Sequence, residues 1–233
     1  MWGEMKTYLE MDEVQRLEEA ATCLRDKVLI RLMGRLGCRV SEALGVAVED
    51  IDFDQGVVAI EHLKVRLDLA CPECGARLGK THSFCPRCGT KVQEPVTQER
   101  DHRHRRVLPL DPDTLSLLRE YVDRGGPVSS NGRHPLFGVA RNTAWHIVQD
   151  CARRAGLGPL VNPETGRKRG VSPHRLRDAF ATHAVRQDDS GDALRLLQEM
   201  LGHRSFNTTA RYRKVAGQEL RSWYQKLWGN ESG

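Results

Sequence analysis

The sequence predicts an α+β fold, mainly α: a helical body with a small antiparallel sheet, interrupted between two strands by an insertion of another kind. Three observations predict it. Apolar residues recur at helical spacing through most of the chain. Two short β-branched runs, VVAI at 57–60 and RRVLPL at 105–110, break that pattern. Between them lie two Cys-Pro-x-Cys-Gly units.

Over residues 11–24, Val14, Leu17, Ala21 and Leu24 fall on one helical face, with Glu18 and Glu19 opposite. The run VLIRLMGRLG, Val28 to Gly37, predicts a buried helix that Gly37 stops. Ser41 opens a short helix with Glu42 in its first turn. Asp54-Gln55-Gly56 forms a turn before the first strand. Asp111-Pro112-Asp113 starts the next helix, and Gly125-Gly126-Pro127 ends it. Further helices cover 141–155, 173–187, 192–201 and 207–228, the last broken near Gly217. Loops such as VSSNGRHP and VNPETGRKRG separate them. There is no internal repeat.

The 233 residues are 39% hydrophobic and 29% charged, a globular composition. No apolar run approaches the ~20 residues of a membrane helix. The first residues lack the apolar core of a signal peptide. The expectation is a cytoplasmic protein with no membrane partner. Net charge is +5 and uneven: the first 22 residues hold six acids and two bases, so the other 211 carry +9. A basic body suits a polyanionic partner, although charge alone also fits a plain solvated surface.

Four of the seven cysteines, Cys71, Cys74, Cys85 and Cys88, form the two units, with ten residues between the inner pair. Without a leader, such spacing favours a metal over disulfides. Two Cys-x-x-Cys turns make a closed tetrahedral sulfur site, which suits structural Zn2+. Iron in a rubredoxin-like site would use the same ligands. The duplication argues against a redox dithiol, and His82 reads as a surface residue. The expected module is a zinc ribbon over 68–98. It is either a stabilised loop or a contact with DNA or a partner.

Three further stretches hold chemistry: Gly37-Cys38-Arg39-Val40-Ser41-Glu42, Pro173-His174-Arg175-Leu176-Arg177, and Leu201-Gly202-His203 with Tyr212 nine residues later. Singly, each has a dull explanation. Arg39 could pair with Glu42, His174 could cap a helix, and Tyr212 could be a surface residue. Together and in order they resemble the catalytic domain of the tyrosine recombinase (phage integrase) family, over about residues 8–228 outside the insertion. The resemblance implies a site-specific DNA recombinase or integrase that cleaves and rejoins strands through a 3′-phosphotyrosyl intermediate.

The same resemblance implies Arg39, Lys64, His174, Arg177, His203 and Tyr212 as catalytic residues, with no cofactor in the chemistry. Lys64 follows the first strand, where the family places a lysine; Lys80 and Lys91 are runners-up. The residue types fit independently. Guanidinium forks match phosphate oxygens and keep their charge. Tyrosine, with a free pKa near 10, needs a positive cluster to act as nucleophile. The flanks of Tyr212 are polar, which gives the ring no packing duty. After H-x-x-R the family often has histidine, but Asp178 stands here, either orienting an arginine or capping the helix.

Arg103, Arg105 and Arg106 enter the second strand and are candidates for phosphate contact; a solvated hairpin edge is the alternative. The tail positions Leu220, Trp223, Leu227 and Trp228 share a helical face. They pack on their own core or, as the resemblance implies, dock on a second copy on double-stranded DNA. The domain expectation is a catalytic domain over 1–233, the ribbon within it, and no N-terminal DNA-clamping domain. The resemblance also implies association with the nucleoid. Two rivals remain: a type IB topoisomerase, and a non-catalytic zinc-ribbon regulator that binds DNA.

Overall fold

Leu24–Leu36 form the helix around which the body packs. In this computed structural model the described residues are 6–79, 81–94, 96–162, 165–203, 205–210 and 212; side chains at 62–68 and 97–104 are not described. Helices α1 (Met11–Glu19), α2 (Leu24–Leu36), α3 (Val40–Gly45), α4 (Pro112–Asp123) and α5 (Arg141–Arg154) are followed by α6 (Pro173–Gln187), α7 (Gly191–Leu201) and α8 (Phe206–Ala210). Helix α2 packs against α1, α3, α4, α5 and α6. Its Val28, Leu29, Ile30, Leu32, Met33 and Leu36 are all buried, while Lys27, Arg31 and Arg35 line its remaining face, with Arg35 exposed. None of the described helices is long and apolar enough to cross a membrane.

The helix expected over 11–24 ends at Glu19, and the one expected from Val28 already begins at Leu24. The backbone N–H of Ala20 closes α1 on the Arg16 carbonyl and that of Ala21 on the Glu18 carbonyl, and Cys23 is extended at φ −144° before α2 begins. Gly34 lets the two helices meet, since a Cβ there would sit 2.7 Å from Val14 Cγ1. Glu18, expected on the polar face, is buried and accepts a two-pronged bond from Arg31, at 2.6 Å from Nε and 2.5 Å from Nη2. Burial without that fork would leave a bare charge.

Strand β1 (Ile51–Asp52) pairs antiparallel with β2 (Val57–Ala70), with Ile51 opposite Val58. Strand β3 (Arg77–Leu78) pairs with the far end of β2, and β4 (Val96–Pro109) pairs with β2. Strands β2 and β4 are fourteen residues each, far longer than the expected runs. The sequence hides this because Gln98 to Arg106 is charged and poor in strand formers; pairing, not propensity, makes it a strand. The loop expected at VNPETGRKRG contains a hairpin, β5 (Leu160–Val161) with β6 (Lys168–Arg169).

The chain divides into two compact units, residues 1–60 with 106–233, and residues 61–105. The first holds the helical body. The second takes in the cysteine insertion. Of the expected helix over 207–228, only α8 and Tyr212 lie within the described residues; Leu220, Trp223, Leu227 and Trp228 lie outside them.

Candidate active site and metal centre

Two helices of the body end on left-handed glycines: α2 on Gly37 at φ 59°, and α7 on Gly202 at φ 63°. Only glycine adopts that turn without strain. A Cβ on Gly37 would also collide with Phe180 at 2.4 Å. The two ends converge on one side chain. Arg177, 3% exposed on α6, donates from Nη1 to the Gly37 carbonyl and from Nη2 to the Leu201 carbonyl, both at 2.7 Å. Helix C-termini carry partial negative charge, so the cation sits where it is stabilised. Burial, then the neighbouring Arg39, still lowers its pKa. Two of its five N–H groups are spent on the scaffold.

Arg39 is the N-cap of α3. Glu42, three residues on, accepts from the Arg39 backbone N–H and from its Nη1, each at 2.8 Å. The same carboxylate accepts from Arg106, at 2.7 Å from Nη2 and 3.3 Å from Nη1. Arg106 Nε donates to the Met200 carbonyl at 2.9 Å. Burial would raise the Glu42 carboxyl. The Arg106 fork and the Arg39 donors outweigh it and hold its pKa at about 2. Arg106, expected among the phosphate contacts, thus meets Glu42 with a largely buried guanidinium.

His203 follows Gly202. Its Nδ1 lies 2.9 Å from Thr209 Oγ1, and its ring stacks on Tyr212 with centroids 6.3 Å apart and planes 9° apart. Burial, then the positive charges of Arg177, Arg39 and Arg106, push its pKa down to about 4, so the free protein holds it neutral at pH 7. Tyr212 Oη donates to Asp178 Oδ1 at 3.2 Å. Its ring has a packing role that the polar flanks hid: it lies on the cluster of Ala181, Val185, Leu194, Leu197 and Leu201. His174 is exposed in the first turn of α6.

The fold thus brings Arg177 within electrostatic reach of Arg39, His203 and Tyr212, and His203 within reach of Arg39. Sequence reasoning missed Glu42 as their shared counter-ion, the structural duty of Arg106, and the contact of Asp178. The i, i+3 spacing of Arg39 and Glu42 signals half of this; Arg106, 64 residues from Glu42, offers no signal. In the second unit, Lys64 stands on β2 and Arg103 on β4, their side chains outside the described set; Arg105 is exposed.

The metal centre is built by two equivalent turns. Cys71 N–H donates to Ala76 and Gly75 N–H to Cys71; Cys85 N–H donates to Thr90 and Gly89 N–H to Cys85, all at 2.9 Å. Gly75 and Gly89 supply the left-handed corners at φ 66° and 72°. The four sulfurs lie within 4.8 Å of one another, with Cys71–Cys88 at 3.6 Å and Cys74–Cys85 at 3.5 Å. Sulfurs ~2.3 Å from a central zinc would be roughly 3.8 Å apart, so the set fits a tetrahedral ion. Leu69, Leu78 and Val92 form a small core around them.

Residues 7–73 and 91–219 match the phage integrase family, and residues 71–92, spanning the gap, match the zinc-ribbon domain. The tyrosine recombinase XerD of Neisseria meningitidis serogroup B is 33% identical over 201 residues, 83% of this chain and 51% of that protein. The chain therefore spans about half the length of such relatives. The crystal structure of XerA recombinase superposes with a TM-score of 0.64 at 22% identity, over 98% of this chain and 66% of that one. A post-cleavage complex of the XerH site-specific recombinase with its palindromic difH substrate gives 0.59 at 22% identity, over 95% and 53%. These two establish likeness of fold. The family match and its ordered site together settle the assignment: the chain belongs to the phage integrase family of tyrosine recombinases and carries a zinc-ribbon module.

Proposed function

We propose that the body is the catalytic part of a site-specific recombinase or integrase. It would cleave one strand of double-stranded DNA through a 3′-phosphotyrosyl link and rejoin it to another strand. The observation that carries this is the Arg177 guanidinium, fixed by two helix ends beside Arg39, His203 and Tyr212. Arg39 and Arg177 would hold the non-bridging oxygens of the scissile phosphate, whose charge grows as phosphorus is attacked. His174 and His203 would add donors. With His203 Nδ1 engaged by Thr209, its donor to phosphate would be Nε2. Tyr212 Oη attacks phosphorus, the P–O5′ bond breaks, and Lys64 supplies the proton to the departing oxygen. Attack by another strand's 5′-hydroxyl reverses the step without ATP.

Cys71, Cys74, Cys85 and Cys88 would hold a structural zinc that takes no part in this chemistry. Arg103 and Arg105 would position DNA by its phosphates, while Arg106 holds Glu42. Pairing of protomers through Leu220, Trp223, Leu227 and Trp228 completes the reading. The recombinase names of the relatives favour strand exchange over a topoisomerase.

The test uses labelled nicked duplexes with a randomised core, so that no target site need be known. The wild-type chain should give a covalent band on a denaturing gel. Arg177→Ala should lower it about 10²–10³-fold while Tyr212 stays in place. A chain that binds these duplexes with no covalent band would be a DNA-binding regulator instead.

A further inference from the structure

We propose that Asp178 is a further catalytic residue: its carboxylate takes the proton of the Tyr212 hydroxyl as that oxygen attacks phosphorus. This rests on Tyr212 being the nucleophile. Asp178 follows Arg177 on α6, so one rigid helix carries both the clamp arginine and the acceptor. Tyr212 Oη donates to Oδ1 at 3.2 Å, and Arg175 Nη1 holds Oδ2 at 3.2 Å. The first distance is longer than the usual O–H···O bond, as is common before substrate seats. Arg175 keeps the carboxylate from turning away.

His203 is the rival acceptor, but it meets Tyr212 with the face of its ring, and its Nδ1 is on Thr209. A stacked ring cannot receive the phenol proton along the O–H direction; the carboxylate lies on it. The groups that contact Asp178 are Arg175 on its own helix and Tyr212, whose ring in turn stacks on His203; His174 stands four residues back on the same helix.

The step balances. The Tyr212 O–H bond breaks as the O–P bond forms, and the proton passes to Asp178 Oδ1. The P–O5′ pair leaves on the 5′ oxygen, which is protonated in turn. On rejoining, the protonated Asp178 returns its proton to the phenolate as that oxygen leaves phosphorus.

The intact chain and the randomised nicked duplexes test it. Asp178→Asn keeps the shape and loses the basicity. Covalent attachment should fall about 10²-fold near neutrality and climb about tenfold per pH unit, since hydroxide must now take the proton. The wild-type rate should be much flatter over the same range. Asp178→Glu, which keeps a carboxylate, should recover part of the rate. A rate lowered equally at every pH would show that Asp178 only positions the tyrosine, and an unchanged rate would remove it altogether; either overturns the proposal.

A second measurement needs no DNA. In protein carrying 13C-labelled tyrosine, the Tyr212 signal, assigned through Tyr212→Phe, should titrate at lower pH in Asp178→Asn, because an adjacent negative charge is gone. An unmoved titration would mean that the contact is absent in solution, which also overturns the proposal. A covalent band that persists in Tyr212→Phe marks a different failure: the nucleophile assignment falls, and the proton acceptor with it.

Discussion

The arginine cluster of the body and the thiolate cluster of the ribbon meet one problem by opposite means. Each crowds like charges into a small volume. The ribbon gathers four sulfurs from eighteen consecutive residues, and a metal ion is their natural counter-charge. The body gathers Arg39, Arg106 and Arg177 from three distant parts of the chain and balances them internally, with the Glu42 carboxylate and the ends of α2 and α7. One site is local and takes its counter-charge from an ion. The other is non-local and comes built with the fold.

The sharpest way to break this contrast is to remove metal. Structural zinc supplies roughly 10–16 kcal/mol of apparent binding energy in small modules, so chelation should open the ribbon entirely. Limited proteolysis should then cut within 68–98 while the helical signal stays. Protein purified without added metal should carry about one zinc per chain. Loss of the body's helices on chelation would show that the two sites are not independent.

Next in size is the counter-ion of the body. Glu42→Ala leaves the largely buried Arg106 guanidinium without its carboxylate and should cost about 3–5 kcal/mol in denaturant unfolding, with no change in zinc content. A double-mutant cycle with Arg106→Ala should show strong coupling. Additive effects would mean that the pair does not hold the site together.

A smaller effect is expected at Gly37. Alanine there meets both the left-handed backbone and the Phe180 ring, and should cost about 2 kcal/mol. Because the Gly37 carbonyl holds Arg177, covalent attachment to DNA should fall with it. Loss of stability with full activity would separate the helix end from the clamp.

The last effect is acid sensitivity. The His203 pKa is depressed from 6.5 to about 4, so the folded state loses stability as pH falls from about 6.5 toward 4. Glu42, depressed from 4.5 to about 2, adds a second loss from 4.5 down to 2. Denaturant midpoints against pH should show the first decline, and His203→Gln should remove it. A phosphate beside His203 would raise its pKa, so DNA binding near pH 5 should take up protons. Calorimetry in buffers of different ionisation enthalpy reads this directly.

Legibility in the sequence follows the same divide. The cysteine spacing announced its site because all four ligands and both corner glycines lie within one short stretch. Helices α4 to α7 were legible from caps and periodicity, as Asp111 accepting from the Thr114 N–H illustrates. The family pattern marked Arg39, Arg177, His203 and Tyr212. It could not show that Arg106 faces inward to Glu42, because alternation in a strand this charged does not say which face is buried. Nor could it place Glu18 against Arg31 or Asp178 against Tyr212, contacts that exist only once helices pack.

On the proposed function, the fold aims Arg177 and its neighbours at a phosphate that Tyr212 attacks. The direct measurement is mass spectrometry of the covalent product after nuclease and protease digestion. The account predicts a nucleotide joined through a 3′-phosphate to the peptide bearing Tyr212, and none in Tyr212→Phe. A nucleotide on any other residue, Tyr224 included, or no adduct on substrate that the chain binds, would contradict it.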